Sequence, residues 1–272
     1  MKNNYKKMAE VVENVIGDTK FQKSDDPLFV TSLARGLAIL QSLGTSDKAL
    51  TMTQIAKLLK LPQPTVWRLC HTMIELGYLE RTDENRVRPG LALLGLGYAA
   101  LSQRPLSELA RPGMEMIAKQ FPGAVSLGIR QDLEMLYIHR VEGGTIVFAG
   151  LRTGSRVSLL ASAIGWGYIA GLPKKERSVL LASAKQSMPK EYSRVSSALE
   201  VAINDYPIKG LIVNTGVLHP EINAIAVPVG ILGSTPMASL SFGGPRSKFS
   251  VKVLENEVGP KLRALARNLA VS

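Results

Sequence analysis

Thr65, Arg68 and Thr72 recur at helical spacing in LPQPTVWRLCHTMIELGYLE, residues 61–80, on the side left free by Val66, Leu69, Cys70, Met73 and Leu76. A guanidinium between two hydroxyls on one helix face is a donor and acceptor set suited to base edges and phosphates. An ordinary three-helix bundle with a solvated third helix would carry the same pattern, so the neighbouring elements must decide. A second group stands in GSRVSLLASAIGWG, residues 154–167, where Ser162 brings a hydroxyl to a helix start beside glycines that permit close approach. Free backbone N–H groups at such a start favour an anionic ligand group. A simple helix cap is the competing reading there.

Other reactive chemistry is sparse. His71, His139 and His219 lie far apart and lack metal-ligand spacing, and the single cysteine, Cys70, falls on an inner helix face. Neither a Gly-x-Ser-x-Gly elbow nor a Walker phosphate-binding loop occurs. GLGYAA, residues 95–100, matches a dinucleotide fingerprint only superficially, because no strand precedes it. No catalytic residue, metal ligand or cofactor is therefore expected, and enzyme activity has no positive support.

The elements around the first group favour DNA. FVTSLARGLAILQSLG places Leu33, Leu37, Leu40 and Leu43 on a helical stripe that ends at Gly44. In ALTMTQIAKLLKL, Thr51 or Thr53 can cap a helix whose inner face is Ile55, Ala56, Leu58 and Leu59. Pro62 and Pro64 enforce a turn, and Pro64 is acceptable as the first residue of the next helix, which Gly77 stops. YLERTDENRVRPGL then reads as a hairpin, Tyr78–Arg81 and Arg86–Arg88 around a TDEN turn. Helix, helix, turn, helix, hairpin is the plan of a winged helix-turn-helix, and its third helix would enter a major groove. The wing arginines Arg86 and Arg88 would rest on the backbone or the minor groove.

The remaining chain divides differently. Residues 1–27, with five lysines and five acids, read as a weakly ordered arm. Residues 91–122 read as a long linker helix, and from Ala124 the pattern is α+β. AVSLGIRQDLEMLYIHRVE gives two strands, TIVFAGLRTG another, and ASAIGWGYIAGLP a helix. KKERSVLLAS and SSALEVAINDYPIKG are amphipathic helices; GLIVNTG, INAIAVPVGIL and MASLSFGG are strands; VKVLENEVGPKLRALARNLA is a closing helix. With 272 residues the chain suits two domains, each with its own core. No apolar run reaches the roughly 20 residues of a membrane span. The broken apolar pattern at the N-terminus gives no signal-peptide core, and one cysteine forbids an intrachain disulfide, so a cytoplasmic protein is expected. The net charge of +11 does not locate the DNA site, because residues 31–90 contribute +3 and residues 101–272 contribute +8.

Together the blocks SLARGLAIL, LTMTQIAKLLKLPQPTVWRLCHTMIELGYLER, GSRVSLLASAIGWGYIA, INAIAVPV and SLSFGGP make the chain resemble the IclR family of bacterial transcription regulators, from about Phe29 onward. The resemblance implies an α+β protein with a winged helix-turn-helix over residues 28–90, a linker helix over 91–122 and a GAF-like α/β effector-binding domain over 123–272. It implies a ligand-responsive regulator, repressor or activator, that binds an operator as a dimer or dimer of dimers and senses a small organic compound, for which an organic acid is the candidate. DNA contacts carried over are Gln63, Thr65, Trp67 and Arg68, with Arg35 near the backbone; Thr53, Thr72, Arg86 and Arg88 complete the expected set. Effector contacts carry over to Ser162, Ala163, Asn214, Ala224, Ser239 and Ser241. Many members have an acid where Asn214 stands, a cysteine near Ala224, and leucine before the glycine of VRPG. Two other readings, a GAF-like sensor or enzyme with a DNA-binding arm and a ligand-independent architectural protein, draw less on these residues.

Overall fold

The computed structural model describes residues 27–144 except Thr45, Asp47 and Arg104, and residues 150–231 and 233–271. Residues 1–26 of the arm expected over 1–27, and residues 145–149 of the strand expected over 145–154, lie outside the described residues. The chain divides into two compact units, residues 1–103 and 104–272.

The first unit contains α1 (Thr31–Gly44), α2 (Met52–Leu58), α3 (Gln63–Glu75), the hairpin β1 (Leu79–Arg81) and β2 (Val87–Pro89), and α4 (Ala92–Ser102). Thr51, rather than Thr53, caps α2, and Gln54 closes a reciprocal capping box with it. Lys60 takes a left-handed conformation in the turn, and Pro62 starts α3. At the other end of α3, Gly77 is also left-handed, and Tyr78 N–H returns to Met73 C=O. Hairpin register pairs Glu80 with Arg88, and Leu50 exchanges both backbone hydrogen bonds with Val87. Ile39, Ile55, Val66, Cys70 and Val87 form the sealed core.

Two expectations about packing fail here. The inner face of α1 is Ala38, Ile39, Ser42 and Leu43, whereas Leu33 and Leu37 are 62% and 49% exposed. The helix has two apolar sides, and the small residues Gly36 and Ala38 fall on the inward one, where Gly36 lies beside Leu69. Leu76 is also exposed, because it is the C-cap residue that follows α3 and lies past the core. On α4 no residue is buried, although almost every residue is apolar.

The second unit begins with α5 (Leu106–Gln120), so the expected long linker helix is two helices. Pro105 opens α5, where its missing N–H is harmless, but it could not continue α4. The strands are β3 (Ala124–Gln131), β4 (Glu134–Glu142), β5 (Arg156–Ser158), β6 (Ile212–Thr215), β7 (Ile222–Val229) and β8 (Ala238–Pro245). They form one antiparallel sheet in the order β5-β4-β3-β8-β7-β6. Short β5 lies in a stretch to which no element was assigned, and the described part of TIVFAGLRTG, residues 150–154, is turn and coil rather than strand. The helices are α6 (Ala163–Gly171), α7 (Lys174–Ser187), α8 (Pro189–Lys209), α9 (Val251–Val253) and α10 (Gly259–Val271), with a π turn at Leu254–Val258 joining the last two.

The sheet is covered on both faces. Helix α6 lies on one face, and α5 and α10 lie on the other, where Phe242 packs edge-on against Phe121 and Phe249. The approach of α6 is set by glycine. A Cβ on Gly167 would stand 2.7 Å from Ser239 Oγ and 2.8 Å from Ala226 Cβ, and one on Gly171 would meet Pro228 at 2.5 Å. One irregularity shifts the side chains of β4. Leu127 is opposite His139 but Gly128 is opposite Tyr137, so Ile138 is an extra residue, a β-bulge. Tyr137 and Arg140 therefore share the α6 face, and His139 points to the α5 face. Burial and the nearby Arg111 charge hold the His139 imidazole below its usual 6.5, with Glu108 and Glu115 offsetting part of this, and its Nε2 has no partner.

Two outcomes follow from this packing. Gly167→Val should cost about 1–3 kcal/mol through overpacking; an unchanged urea midpoint would mean that α6 rides clear of the sheet. For His139 the folded imidazole takes a proton less readily than the unfolded one, so its penalty grows as pH falls below 6.5. The wild type should lose more stability than His139→Gln between about pH 7.5 and about pH 5.5. Parallel unfolding curves for the two proteins would remove His139 as the cause.

Candidate nucleic-acid interface and ligand site

Helix α3 presents Gln63, Trp67, Arg68, His71 and Thr72 to solvent, while Thr65 is half-buried at the edge of this face. Gln63 Nε2 donates to Thr53 Oγ1 at 3.0 Å, tying the start of α3 to α2. Thr72 donates its hydroxyl to Arg68 C=O at 3.0 Å, which leaves the oxygen as an outward acceptor. Trp67 is 51% exposed and stacks on His71 with centroids 5.4 Å apart and planes 8° from parallel. An indole left so open is expensive in apolar surface, and its stacking holds His71 in a fixed place on the face. The sequence reading left His71 out, although its i, i+4 relation to Trp67 was available. Pro62 provides no side-chain cap, so the positive end of α3 stays open to an anion. Arg68 makes no ion pair among the described residues, and its five donors are available.

The wing is less free than its sequence suggests. Arg88 Nη2 lies 2.8 Å from Glu80 across the hairpin, and Arg86 Nε lies 2.9 Å from Glu84 with Nη1 3.4 Å from Ala49 C=O. Both charges are thus offset locally. Arg81, at the end of β1, is exposed and has no ion pair among the described residues. Strand pairing explains the exchange, because Glu80 faces Arg88 whereas Arg81 faces the apolar Val87. Arg35 is half-buried on α1, with its Nε enclosed and unpartnered. Cys70 sits in the core, where burial pushes its thiol up to about 11, so it offers no nucleophile.

In the second unit the sheet register gathers the expected ligand residues onto one face. Asn214 pairs with Ala224 and Ala224 with Gly243, while Ser241 pairs with Ala226 and Ser126. Since Gly167 of α6 packs on Ala226 and Ser239, this is the α6 face. Ser239, fully buried, donates to Val227 C=O at 3.2 Å. Asn214 Nδ2 donates to Ala161 C=O at 3.1 Å, clamping β6 to the loop before α6. Of the two sequence readings of Ser162, the geometry is that of the cap. Its Oγ donates to Ser158 C=O at 2.6 Å and accepts from Gly165 N–H at 3.2 Å, so it is a helix cap. The donors left at this helix start are the backbone N–H groups of Ala163 and Ile164. The Ser241 hydroxyl has no hydrogen bond among the described residues.

The same face holds polar residues that strand alternation hides. Arg140 Nη1 donates to Ser126 Oγ at 2.8 Å, its Nε and Nη2 reach Glu142 Oε1 at 3.2 and 3.0 Å, and its guanidinium lies 5.7 Å over the Tyr137 ring. Burial pushes the Tyr137 hydroxyl upward, opposed by the Arg140 charge and a hydrogen bond to Ser126. Strict alternation would put Tyr137 and Arg140 on opposite faces; only the bulge unites them. Elsewhere a cleft of about 640 Å³ is lined by Arg130, Tyr168, Lys175 and Thr235, and one of about 330 Å³ by Tyr206, Pro228, Arg263 and Arg267. Neither includes Ser162, Asn214 or Ser241. Among the described residues no group of three His, Cys, Asp or Glu could hold a metal ion, and no helix is long and apolar enough to cross a membrane.

Two family models match the chain: the IclR helix-turn-helix domain over residues 32–83, and the bacterial transcriptional regulator IclR C-terminal domain over residues 98–271. The chain is similar to the Pca regulon regulatory protein of Pseudomonas putida, 29% identical over 261 residues that cover 90% of this chain and 84% of that protein. It is also similar to the crystal structure of an IclR family transcriptional regulator from Brucella abortus. That match has a TM-score of 0.73 and 30% identity, and covers 91% of this chain and 94% of that one. An IclR homolog from Microbacterium hydrocarbonoxydans, crystallised with 4-hydroxybenzoate, shares the fold with a TM-score of 0.69 at 24% identity over 88% of this chain and 98% of that one.

Proposed function

The chain belongs to the IclR family of bacterial transcriptional regulators, and on that premise we propose that α3 reads an operator, that two copies act together, and that the α6 face of the sheet senses a small organic acid. The observation that carries the reading is the state of α3. Its helix start is uncapped, Arg68 is unpaired among the described residues, and Gln63, Trp67, His71 and Thr72 stand exposed around it. In this role Gln63, Thr65, Trp67, Arg68 and Thr72 approach base edges, Thr53 positions Gln63, and Arg35 lies toward the backbone. Arg81 adds a backbone contact from the wing, beside the carboxylate-paired Arg86 and Arg88. The protein works in the cytoplasm, where such an operator is found.

A single winged unit reads few base pairs, and pairing two half-sites raises affinity and specificity. The uncovered apolar faces support this assembly. Tyr98 and Leu94 on α4 are 73% and 72% exposed, and Leu33 and Leu37 stand open on α1. We assign them to a homodimer contact, with a dimer of dimers as the larger form. The effector contacts are Asn214, Ala224, Ser239 and Ser241 with the Ala163 N–H, and Ser162 holds the turn that aims it. Charge favours an anion here, because the helix start points its positive end at the site. The ligand found with the Microbacterium homolog, 4-hydroxybenzoate, makes that acid a suitable first probe. An enzyme with a DNA-binding arm would need a reactive group at Ser162, whose hydroxyl is instead occupied by Ser158 and Gly165.

Three measurements test these assignments. Arg68→Ala should weaken operator binding by about 1–3 kcal/mol and relax specificity at one position if it reads guanine. If it holds phosphate instead, the loss should be uniform across sequences and the salt slope should fall by about one. Unchanged affinity in a gel-shift titration defeats both versions. Arg81→Ala should lower specific and non-specific affinity together, and more than Arg88→Ala does, because Glu80 already offsets Arg88; the reverse order would refute the wing assignment. In sedimentation at micromolar concentration the wild type should run heavier than 29.4 kDa, and Leu94→Glu with Tyr98→Glu should shift it toward that mass. A wild type found only at the monomer mass would exclude the dimer.

A further inference from the structure

The proposed ligand site contains a buried cation that the family resemblance did not supply. The Arg140 side chain is 6% exposed, whereas that of its carboxylate partner Glu142 is 30% exposed. The cation therefore sits inside and its counter-ion sits nearer the surface. The β4 bulge turns Arg140 onto the α6 face, and in the sheet register Arg140, Ser126 and Ser241 are consecutive cross-strand neighbours. The pairing with Glu142 is geometrically incomplete. Nε and Nη2 converge on the single oxygen Oε1, and Nη1 goes to Ser126, so three of five guanidinium donors are used. A guanidinium fork fits a carboxylate best through two oxygens at once. Ser241 supplies an unused hydroxyl two strands from Arg140, next to Ser126.

We propose that Arg140 is the anion anchor of this ligand site and that Glu142 is its built-in competitor, displaced when a carboxylate ligand takes the guanidinium fork. The inference rests on the pocket reading of the α6 face. Its physical logic is that a buried guanidinium left without a counter-ion is strongly unfavourable, while exchanging one carboxylate for another keeps it paired. Glu142 can give way because it already lies partly in water. The Tyr137 ring beneath the guanidinium keeps its plane fixed during the exchange. A neutral amide cannot replace Glu142, so the arrangement selects carboxylates from uncharged molecules of the same shape.

The test uses the full chain with formate, acetate, propionate and benzoate at millimolar concentration, each against its amide, read by thermal shift and calorimetry. At least one carboxylate should stabilise the wild type while its amide does not. Arg140→Gln should weaken that binding at least about tenfold, equivalent to about 1.4 kcal/mol, and Arg140→Lys should retain part of it. Glu142→Gln should tighten binding, a change of sign that damage to the fold would not produce. No response to any carboxylate, equal responses to acids and amides, or looser binding by Glu142→Gln overturns the proposal. Ala224→Phe fills the site whatever the ligand charge. Binding lost in Ala224→Phe but kept in Arg140→Gln preserves the pocket and rejects the anchor. Binding lost in Arg140→Gln but kept in Ala224→Phe keeps the anchor and rejects the pocket reading.

Discussion

The second unit depends on how closely α6 can lie on its sheet. Gly165, Gly167 and Gly171 present no side chain where Leu159, Ala226, Ser239 and Pro228 press in. That contact puts the helix start within reach of Asn214, which bonds the loop at Ala161, and leaves Ser162 to cap the turn. Side chains larger than hydrogen at these positions would lift α6, part Asn214 from Ala161 and open the Trp166 and Ile169 core to water. Helix propensity opposes glycine in such a place, at a cost of about 1 kcal/mol each relative to alanine. Close packing offsets that cost, and the same contact aims the helix start at the proposed ligand site.

The first unit follows another division of labour. Its core is filled by one side of each of α1, α2 and α3 with the hairpin, and the surfaces left over are specialised. On α3 the remainder is polar apart from Trp67, and Arg68 makes no ion pair among the described residues, although exposed charges commonly find i, i+4 partners. On α1 and α4 the remainder is apolar, which water penalises. The hairpin balances its own charges through Glu80 with Arg88 and Glu84 with Arg86, and among the described residues Arg68 and Arg81 are the cations of α3 and the hairpin without an ion pair. Position of charge, not its sum, distinguishes this surface. The greater positive excess in residues 101–272 is no guide to where DNA would bind.

Much of the architecture was legible where a residue type forces one outcome. Pro62 and Pro64 marked the start of α3, Gly77 its end, and alternating runs marked β3, β4, β7 and β8. The face shared by Asn214, Ala224, Ser239 and Ser241 came from the family resemblance, and cross-strand register accounts for it physically. What stayed hidden depends on partners distant in sequence. The α1 stripe of Leu33 and Leu37 was assigned inward because periodicity finds apolar faces without saying which one meets a core. The break before Pro105 was submerged in a long apolar pattern. The bulge at Ile138 has no marker in YIHRVE, so Arg140 was missed, and an ion pair such as Arg88 with Glu80 appears only once the strands are registered. Ser162 was placed correctly at a helix start, but whether its hydroxyl was free depended on the carbonyl of Ser158.

The account rests most directly on α3 being a base-reading face held in a two-fold assembly. Guanine-N7 methylation interference, on duplexes selected from a random pool by the full-length protein, tests that claim in one measurement. The account predicts a selected sequence with two inverted half-sites about one helical turn apart, and interference from major-groove guanines in both. Selection that enriches no sequence, or binding indifferent to methylation in a guanine-containing site, would contradict it.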